Sequence, residues 1–246
     1  MGMDSLYIVI PAYNEEETIR AVVEEWYSVL TSFGNADSRL VVANDGSRDN
    51  TGQILKEMET DHPLLVPLTI PNGGHGAAIL FGYRYALEHH ADYIFQTDSD
   101  GQTLPSEFKD FWLIRSSYDM VIGWRRHRED GLSRILVTKV LRLCIRFCFH
   151  VSVLDANTPF RLMTATTLRQ YIGLVPDGYN LTNVLIAVIF AKKNCRVQYL
   201  PITFRPRQGG KNSIHMGRIF RIGKQALGDF LCINRSIESL QDRLIQ

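Results

Sequence analysis

Asp98 and Asp100 stand two residues apart in YIFQTDSDGQ, with Gln102 two further on, just after the apolar run DYIF. Oxygen side chains at alternate positions beyond a strand form a donor set for a hard divalent cation. Magnesium and manganese take one or two carboxylates and complete their shell with substrate phosphates. Taken this way, Asp98, Asp100 and Gln102 would hold a cation on a diphosphate. A turn rich in Asp, Ser and Gly is the other reading, because Asp caps helices and opens turns. Two more polar clusters also sit where strands should end: PAYNEEE (11–17) and NDGSRDNT (44–51).

The elements around these clusters alternate. LYIVI (6–10), RLVVAN (39–44), LLVPLTI (64–70), DYIFQTD (92–98) and YDMVIG (118–123) read as strands. Short apolar, β-branched runs of this kind suit strands buried on both faces. Between them, NEEETIRAVVEEWYSVL, DNTGQILKEME, GHGAAILFGYRYALEHH and SEFKDFWLIRSS have helical periodicity. The first should carry its acids in its first turn and the second should be capped near Asp49 or Asn50. Strand–helix alternation implies right-handed crossovers and a mostly parallel sheet, with ligands bound beyond the carboxyl ends of the strands. All three polar clusters fall at such ends.

The second half differs. LSRILVTKVLRLCIRFCFHV (132–151) reads as a long helix. At the α-helical twist, Arg134, Lys139, Arg142 and Arg146 share one side, and Leu136, Val140, Leu143, Cys144 and Phe147 the opposite one. This is either an ordinary amphipathic helix with a solvated basic face or a basic helix lying on anionic headgroups. TNVLIAVIFAKK predicts another helix, RVQYLPITF a bent strand or strand pair, and HMGRIFRIGKQALGDFLCI a last amphipathic helix.

Bulk properties narrow the classes. The chain has 246 residues, 45% hydrophobic and 22% charged, with a formal net charge of +1. That balance suits a globular domain and gives no global basic field for nucleic acid. The four cysteines are too scattered for a disulfide scaffold and lack a histidine pair at zinc spacing. No signal peptide and no membrane-length apolar run is evident, so a cytosolic location, with access to a membrane surface, is expected.

IVIPAYNEEETI, VVANDGSRDNTG, NGGHGAAILFGYRYAL and YIFQTDSDGQTLP, in that order, resemble the family-two glycosyltransferases. The resemblance is strongest to their polyprenyl-phosphate branch, typified by dolichyl-phosphate mannose synthase. It implies an α/β glycosyltransferase A fold: a Rossmann-like, mostly parallel sheet with flanking helices and a C-terminal acceptor and interface region. Residues 1–125 would form the nucleotide-sugar-binding half, and 126–246 the acceptor-binding and interfacial half, of one catalytic domain. The metal motif of the branch is matched by Asp98, Asp100 and Gln102, with Mg2+ or Mn2+ implied. Its arginines are matched by Arg125, Arg134 and Arg207, and a D…F-R segment by Asp155, Phe160 and Arg161.

Roles follow from the resemblance. Pro11, Ala12, Tyr13, Glu15, Asp45 and Ser99 would line the nucleotide. Asp98, Asp100, Arg125, Arg134 and Arg207 would serve catalysis, the arginines by offering forked donors to phosphate oxygens. Arg134, Arg207 and Lys211 would meet an acceptor phosphate. His75 reads as a loop residue or a ligand. Where many relatives carry two acids, this chain has Asn44–Asp45, and its late motif places Lys211 before the serine.

Transfer to a sugar hydroxyl needs a general base. Many family-two enzymes carry an acidic pair at the corresponding place, whereas PDGYNLTNVL carries amides. A phosphate acceptor is already anionic and needs no base, so a lipid monophosphate is favoured; Asp177 is the residue that would reverse this. The expected reaction is inverting, metal-dependent transfer of a hexose from a GDP-mannose or UDP-glucose type donor to a polyprenyl phosphate. It would take place at the cytosolic membrane face, reached directly or through a membrane-embedded partner protein. A transferase acting on a glycan or small-molecule hydroxyl, and a non-catalytic nucleotide-sugar-binding module, are the alternatives.

Overall fold

The computed structural model describes residues 4–125, 132–205 and 228–235, with the backbone alone over 132–137. A seven-stranded sheet has the order β3-β2-β1-β4-β6-β5-β7. Its strands are β1 (Leu6–Ala12), β2 (Arg39–Asn44), β3 (Leu65–Thr69), β4 (Tyr93–Gln96), β5 (Met120–Arg125), β6 (Arg161–Thr164) and β7 (Val197–Ile202). All pairs are parallel except those of β6, which runs antiparallel to both β4 and β5. The expected mostly parallel α/β sheet is therefore present.

Strand β1 is buried along its whole length. Its side chains alternate between two cores: Tyr7 and Val9 join one, and Leu6, Ile8 and Ile10 the other. The first core lies under α3 (His75–Glu88) and α7 (Thr182–Lys192), the second under α1 (Ile19–Phe33) and α2 (Thr51–Glu59). Each large apolar side chain so enclosed contributes about 1.5–3 kcal/mol. Both edge strands carry a proline, Pro67 in β3 and Pro201 in β7. Proline cannot donate to a neighbouring strand, which blunts both edges against further pairing.

Several local expectations change. Glu15, Glu16 and Glu17 precede α1, so no acid lies in its first turn. The N-cap of α2 is Asn50, one of the two expected positions, and Asp49 before it accepts from Thr51 N through Oδ1 at 3.0 Å. The helix expected over 106–117 is broken into a 3-10 turn (Pro105–Glu107), a short α4 (Phe108–Leu113) and a second 3-10 turn (Arg115–Ser117). RVQYLPITF forms the single strand β7, followed by a lone bridge between Thr103 and Phe204. Strand β6 and α6 (Ala165–Tyr171) were not anticipated.

The long helix is present as α5 (Leu132–Phe149). Over 138–149 its buried residues are Ile145, Cys148 and Phe149, packed in the same core as α7, and Phe149 meets Phe230 of the 228–235 helix at 5.2 Å. Val140, Leu143 and Phe147, placed together opposite the basic side, are exposed at 51%, 68% and 72%. The helix has apolar residues around more than half its circumference, and the core takes only one part of that arc.

Candidate active site

Strand β4 delivers Asp98 and Asp100 to the carboxyl end of the parallel sheet, beside the ends of β1 and β2. Gly101 closes the loop at φ 68°, a backbone setting that favours glycine. Gln102 N donates to Asp100 Oδ1 at 3.2 Å. The Gln102 side-chain amide donates to Arg205 O at 3.0 Å, and Arg205 N returns a bond to Gln102 O at 2.8 Å. The loop is thus tied at both backbone and side chain to the segment beyond β7. With Nε2 committed there, Oε1 is the atom of Gln102 suited to a cation.

The donor set fits magnesium or manganese, since all three side chains offer hard oxygens. Among the described residues no three His, Cys, Asp or Glu side chains form a closed cage. An open set of this kind is usual for a cation that shares its shell with substrate phosphates.

Opposite this loop lies the first turn of α3. His75 Nε2 stands 3.6 Å from Asp98 Oδ1, so this histidine faces the acidic loop. The turn before it is held by Asp45. Asp45 Oδ1 accepts from Gly73 N at 2.7 Å, and Oδ2 from Gly74 N at 2.9 Å and Asn72 Nδ2 at 3.3 Å. At 2% exposure, Asp45 shapes the glycine turn. Gly74 has φ 91°, and a Cβ on Gly76 would stand 2.0 Å from Tyr179 O. The start of α3 therefore touches the backbone before α7, with Asn180 beside Gly74.

The ends of β1 and β2 are stitched together. Asn14 takes φ 54°, donates from N to Ser47 Oγ at 3.0 Å and accepts from Arg48 N at 2.8 Å. Glu16 N donates to Asp49 Oδ2 at 3.1 Å, and Glu15 N to Thr51 Oγ1 at 2.9 Å. Burial alone would raise the Asp49 pKa, but the hydrogen bonds from Thr51 and Glu16 outweigh it and hold it below the ordinary value. Asn14, Glu15, Glu16, Glu17, Arg48 and Asp49 line an open depression of about 340 Å³. Pro11 and Ala12 end β1 beside it, and Tyr13 is 42% exposed. Glu15 is buried and accepts from Thr18 Oγ1 at 3.1 Å; Ser99 is buried, and its carbonyl accepts from the same hydroxyl at 3.0 Å.

Arg125, the last residue of β5, is bound in two-pronged fashion to Asp155: Nε to Oδ2 and Nη2 to Oδ1, both 3.0 Å. That edge of the guanidinium is taken, so Nη1 is the nitrogen left outside the pair. Arg161 opens β6 and is fully buried. Its donors reach the carbonyls of Thr158, Ala156 and Asn183 at 2.6–3.1 Å, pinning the loop before β6 to the first turn of α7. Burial lowers its pKa from the ordinary arginine value. Asp177 pairs with Arg84 at 2.6 Å. The Arg134 side chain, Arg207 and Lys211 lie outside the described residues.

A Rossmann-like sheet whose D-x-D acids face a glycine turn defines a glycosyltransferase A fold. In glucosyl-3-phosphoglycerate synthase from Mycobacterium tuberculosis, solved with Mn2+, UDP-glucose and phosphoglyceric acid, the same fold covers 94% of this chain and 80% of that one, at TM-score 0.67 and 16% identity. The family model for glycosyl transferase family 2 matches residues 7–169, and the chain belongs to that family. It is a glycosyltransferase.

Among curated relatives, a UDP-N-acetylglucosamine–dolichyl-phosphate N-acetylglucosaminyltransferase of Methanococcus voltae is 30% identical over 210 residues, covering 77% of this chain and 80% of its own. An undecaprenyl-phosphate 4-deoxy-4-formamido-L-arabinose transferase of Pectobacterium atrosepticum is 30% identical over 157 residues, 63% of this chain; the match spans 47% of that enzyme's length.

Proposed function

We propose that this enzyme transfers a hexose, with inversion, from a nucleotide diphosphate sugar to a polyprenyl monophosphate. The observation that carries the reading is the segment before α7. Asn180, an amide, stands beside Gly74 at the start of α3, while Asp177 is engaged by Arg84. An acceptor that arrives as an anion needs no base there. Relatives whose names specify dolichyl and undecaprenyl phosphates support the same acceptor class.

Tyr13, Glu15 and the backbone of Pro11 and Ala12 would receive the nucleoside. Asp98, Asp100 and Gln102 Oε1 would hold Mg2+ or Mn2+, which when bound supplies positive charge against the departing diphosphate. Arg125 Nη1, Arg134 and Arg207 would offer donors to phosphate oxygens, with Lys211 beside the acceptor. The acceptor phosphate oxygen bonds to the anomeric carbon as the bond from that carbon to the diphosphate oxygen breaks.

The acceptor's tail stays in a bilayer, so the enzyme must meet a membrane surface. No helix among the described residues is long and apolar enough to cross one. Docking would use α5, where exposed Val140, Leu143 and Phe147 fall within about 60° of one another at 100° per residue. Exposed Lys139, Arg142 and Arg146 flank that stripe. Apolar insertion with a basic edge suits an anionic surface.

The test is a panel of nucleotide sugars with manganese, each offered polyprenyl phosphate, a water-soluble glycan acceptor, or none. Product only with the lipid phosphate supports the reading; faster product on the soluble hydroxyl acceptor overturns it.

A further inference from the structure

The D-x-D loop rests on a side chain that neither its spacing nor the family match assigns. Gln96, the last residue of β4, is fully buried, between β1 and β6. Its Nε2 donates to Asp98 Oδ1 at 3.2 Å, and its Oε1 accepts from the Tyr83 hydroxyl at 3.4 Å. Tyr83 is itself fully buried on α3, and burial raises its pKa, so it stays a neutral donor. His75 approaches the same Oδ1 from the cleft side at 3.6 Å. Asp98 Oδ2 accepts no hydrogen bond among the described residues.

The geometry points to Gln96 as the positioning residue that fixes Asp98 through Oδ1, leaving Oδ2 without a hydrogen bond among the described residues and ready for a divalent cation. This rests on the metal reading of the D-x-D loop. A buried amide is costly unless both its ends are satisfied. Here one end is satisfied by the carboxylate it aligns and the other by a hydroxyl set in a rigid helix. The side chain that follows the strand by two residues is thereby locked before any ligand arrives. An unrestrained carboxylate must be ordered when the cation binds, at an entropy cost that pre-alignment removes. Hydrogen-bond partners behind metal ligands typically account for about 10–100-fold in affinity. Gln102, tied through Nε2 to Arg205 O, is braced in the same way from the opposite side of the loop.

The variants are Gln96→Leu, which deletes both polar ends, and Gln96→Met, which does so with an unbranched chain that repacks more easily. Asp98→Ala is the control. Manganese binding is read by the electron paramagnetic resonance of free Mn2+ in the presence of GDP or UDP, and transfer is measured across a manganese titration. The expectation for whichever Gln96 variant is folded, by circular dichroism and thermal melting, is manganese affinity weakened about 10–100-fold. Transfer at saturating manganese should return to within about threefold of wild type, a split that a purely structural role would not give. Wild-type manganese affinity in a folded Gln96 variant, alongside loss of affinity in Asp98→Ala, overturns the role of Gln96. Wild-type affinity in Asp98→Ala overturns the metal reading itself.

Discussion

Arg84 Nη2 holds Asp177 Oδ1 at 2.6 Å. From His75, at the mouth of the cleft, to Arg84 along α3 is roughly 13 Å at 1.5 Å per residue. The one acid in PDGYNLTNVL is therefore drawn toward the far end of α3, and is 81% exposed. Asp177→Asn should leave transfer to polyprenyl phosphate within about threefold of wild type, because an exposed ion pair contributes roughly 0–1 kcal/mol. Steady-state kinetics decide; a loss of about 100-fold or more is the size expected for removing a general base and would return the hydroxyl-acceptor reading.

Asp98 and Asp100 are to be separated by substitution. Asp100→Ala should abolish transfer and Asp98→Ala should cost several kcal/mol of transition-state stabilisation, since each removes charge facing the metal–diphosphate complex. Asp98→Asn, which keeps the shape, should retain donor binding by calorimetry better than it retains turnover. Full activity of Asp100→Ala in the presence of a chelator would remove the D-x-D loop from catalysis.

For α5, the double variant Leu143→Glu/Phe147→Glu places two acids in the exposed apolar stripe. Liposome flotation should fall by about tenfold or more while activity on a short-chain, detergent-soluble polyprenyl phosphate persists. Flotation of the unaltered enzyme should need anionic lipid and weaken with salt, as screening shortens electrostatic reach to roughly 8 Å at physiological ionic strength. Undiminished flotation of the double variant would move the docking surface elsewhere.

The Arg125–Asp155 pair is 12% and 5% exposed at its two side chains. Breaking a buried ion pair from one side costs about 3–5 kcal/mol. Arg125→Met and Asp155→Leu should each lower stability by that order in urea unfolding, and the double variant by less than their sum. Additive losses would show that the two residues stabilise the fold independently.

Most of the first 125 residues is legible in the sequence because its signals are redundant. LYIVI, RLVVAN and YIFQ are short apolar runs with turn residues on both sides, and GHGAAILFGYRYALE has one period throughout. Strand β6 was not legible for the opposite reason. It has four residues, follows Pro159, and begins with an arginine that belongs on the surface by type. Arg161 is inside only because three backbone carbonyls converge on it, and such convergence has no sequence signature. The bonds that Asp45 accepts from the amides of Gly73 and Gly74 likewise have no sequence signature. The D-x-D loop was visible from its spacing, whereas the support behind it was not, since Gln96 reads as one more residue of a strand. On α5, apolar positions exceed what one neighbour can cover, so the pattern announces the helix without saying which stripe is left bare.

The place of β6 has a consequence for how the enzyme is made. The chain reaches β5 before β6, yet β6 lies between β4 and β5. When residue 125 leaves the ribosome, β5 has no partner in the nascent sheet and a gap of about 10 Å, two strand spacings, separates its final place from β4. That gap fills only after Arg161–Thr164 has emerged. The ties from Gln102 to Arg205 form later still. Gln102 is thus synthesised well before the partner that sets it, so the D-x-D loop of the nascent chain should stay incompletely braced until residue 205 is also in place.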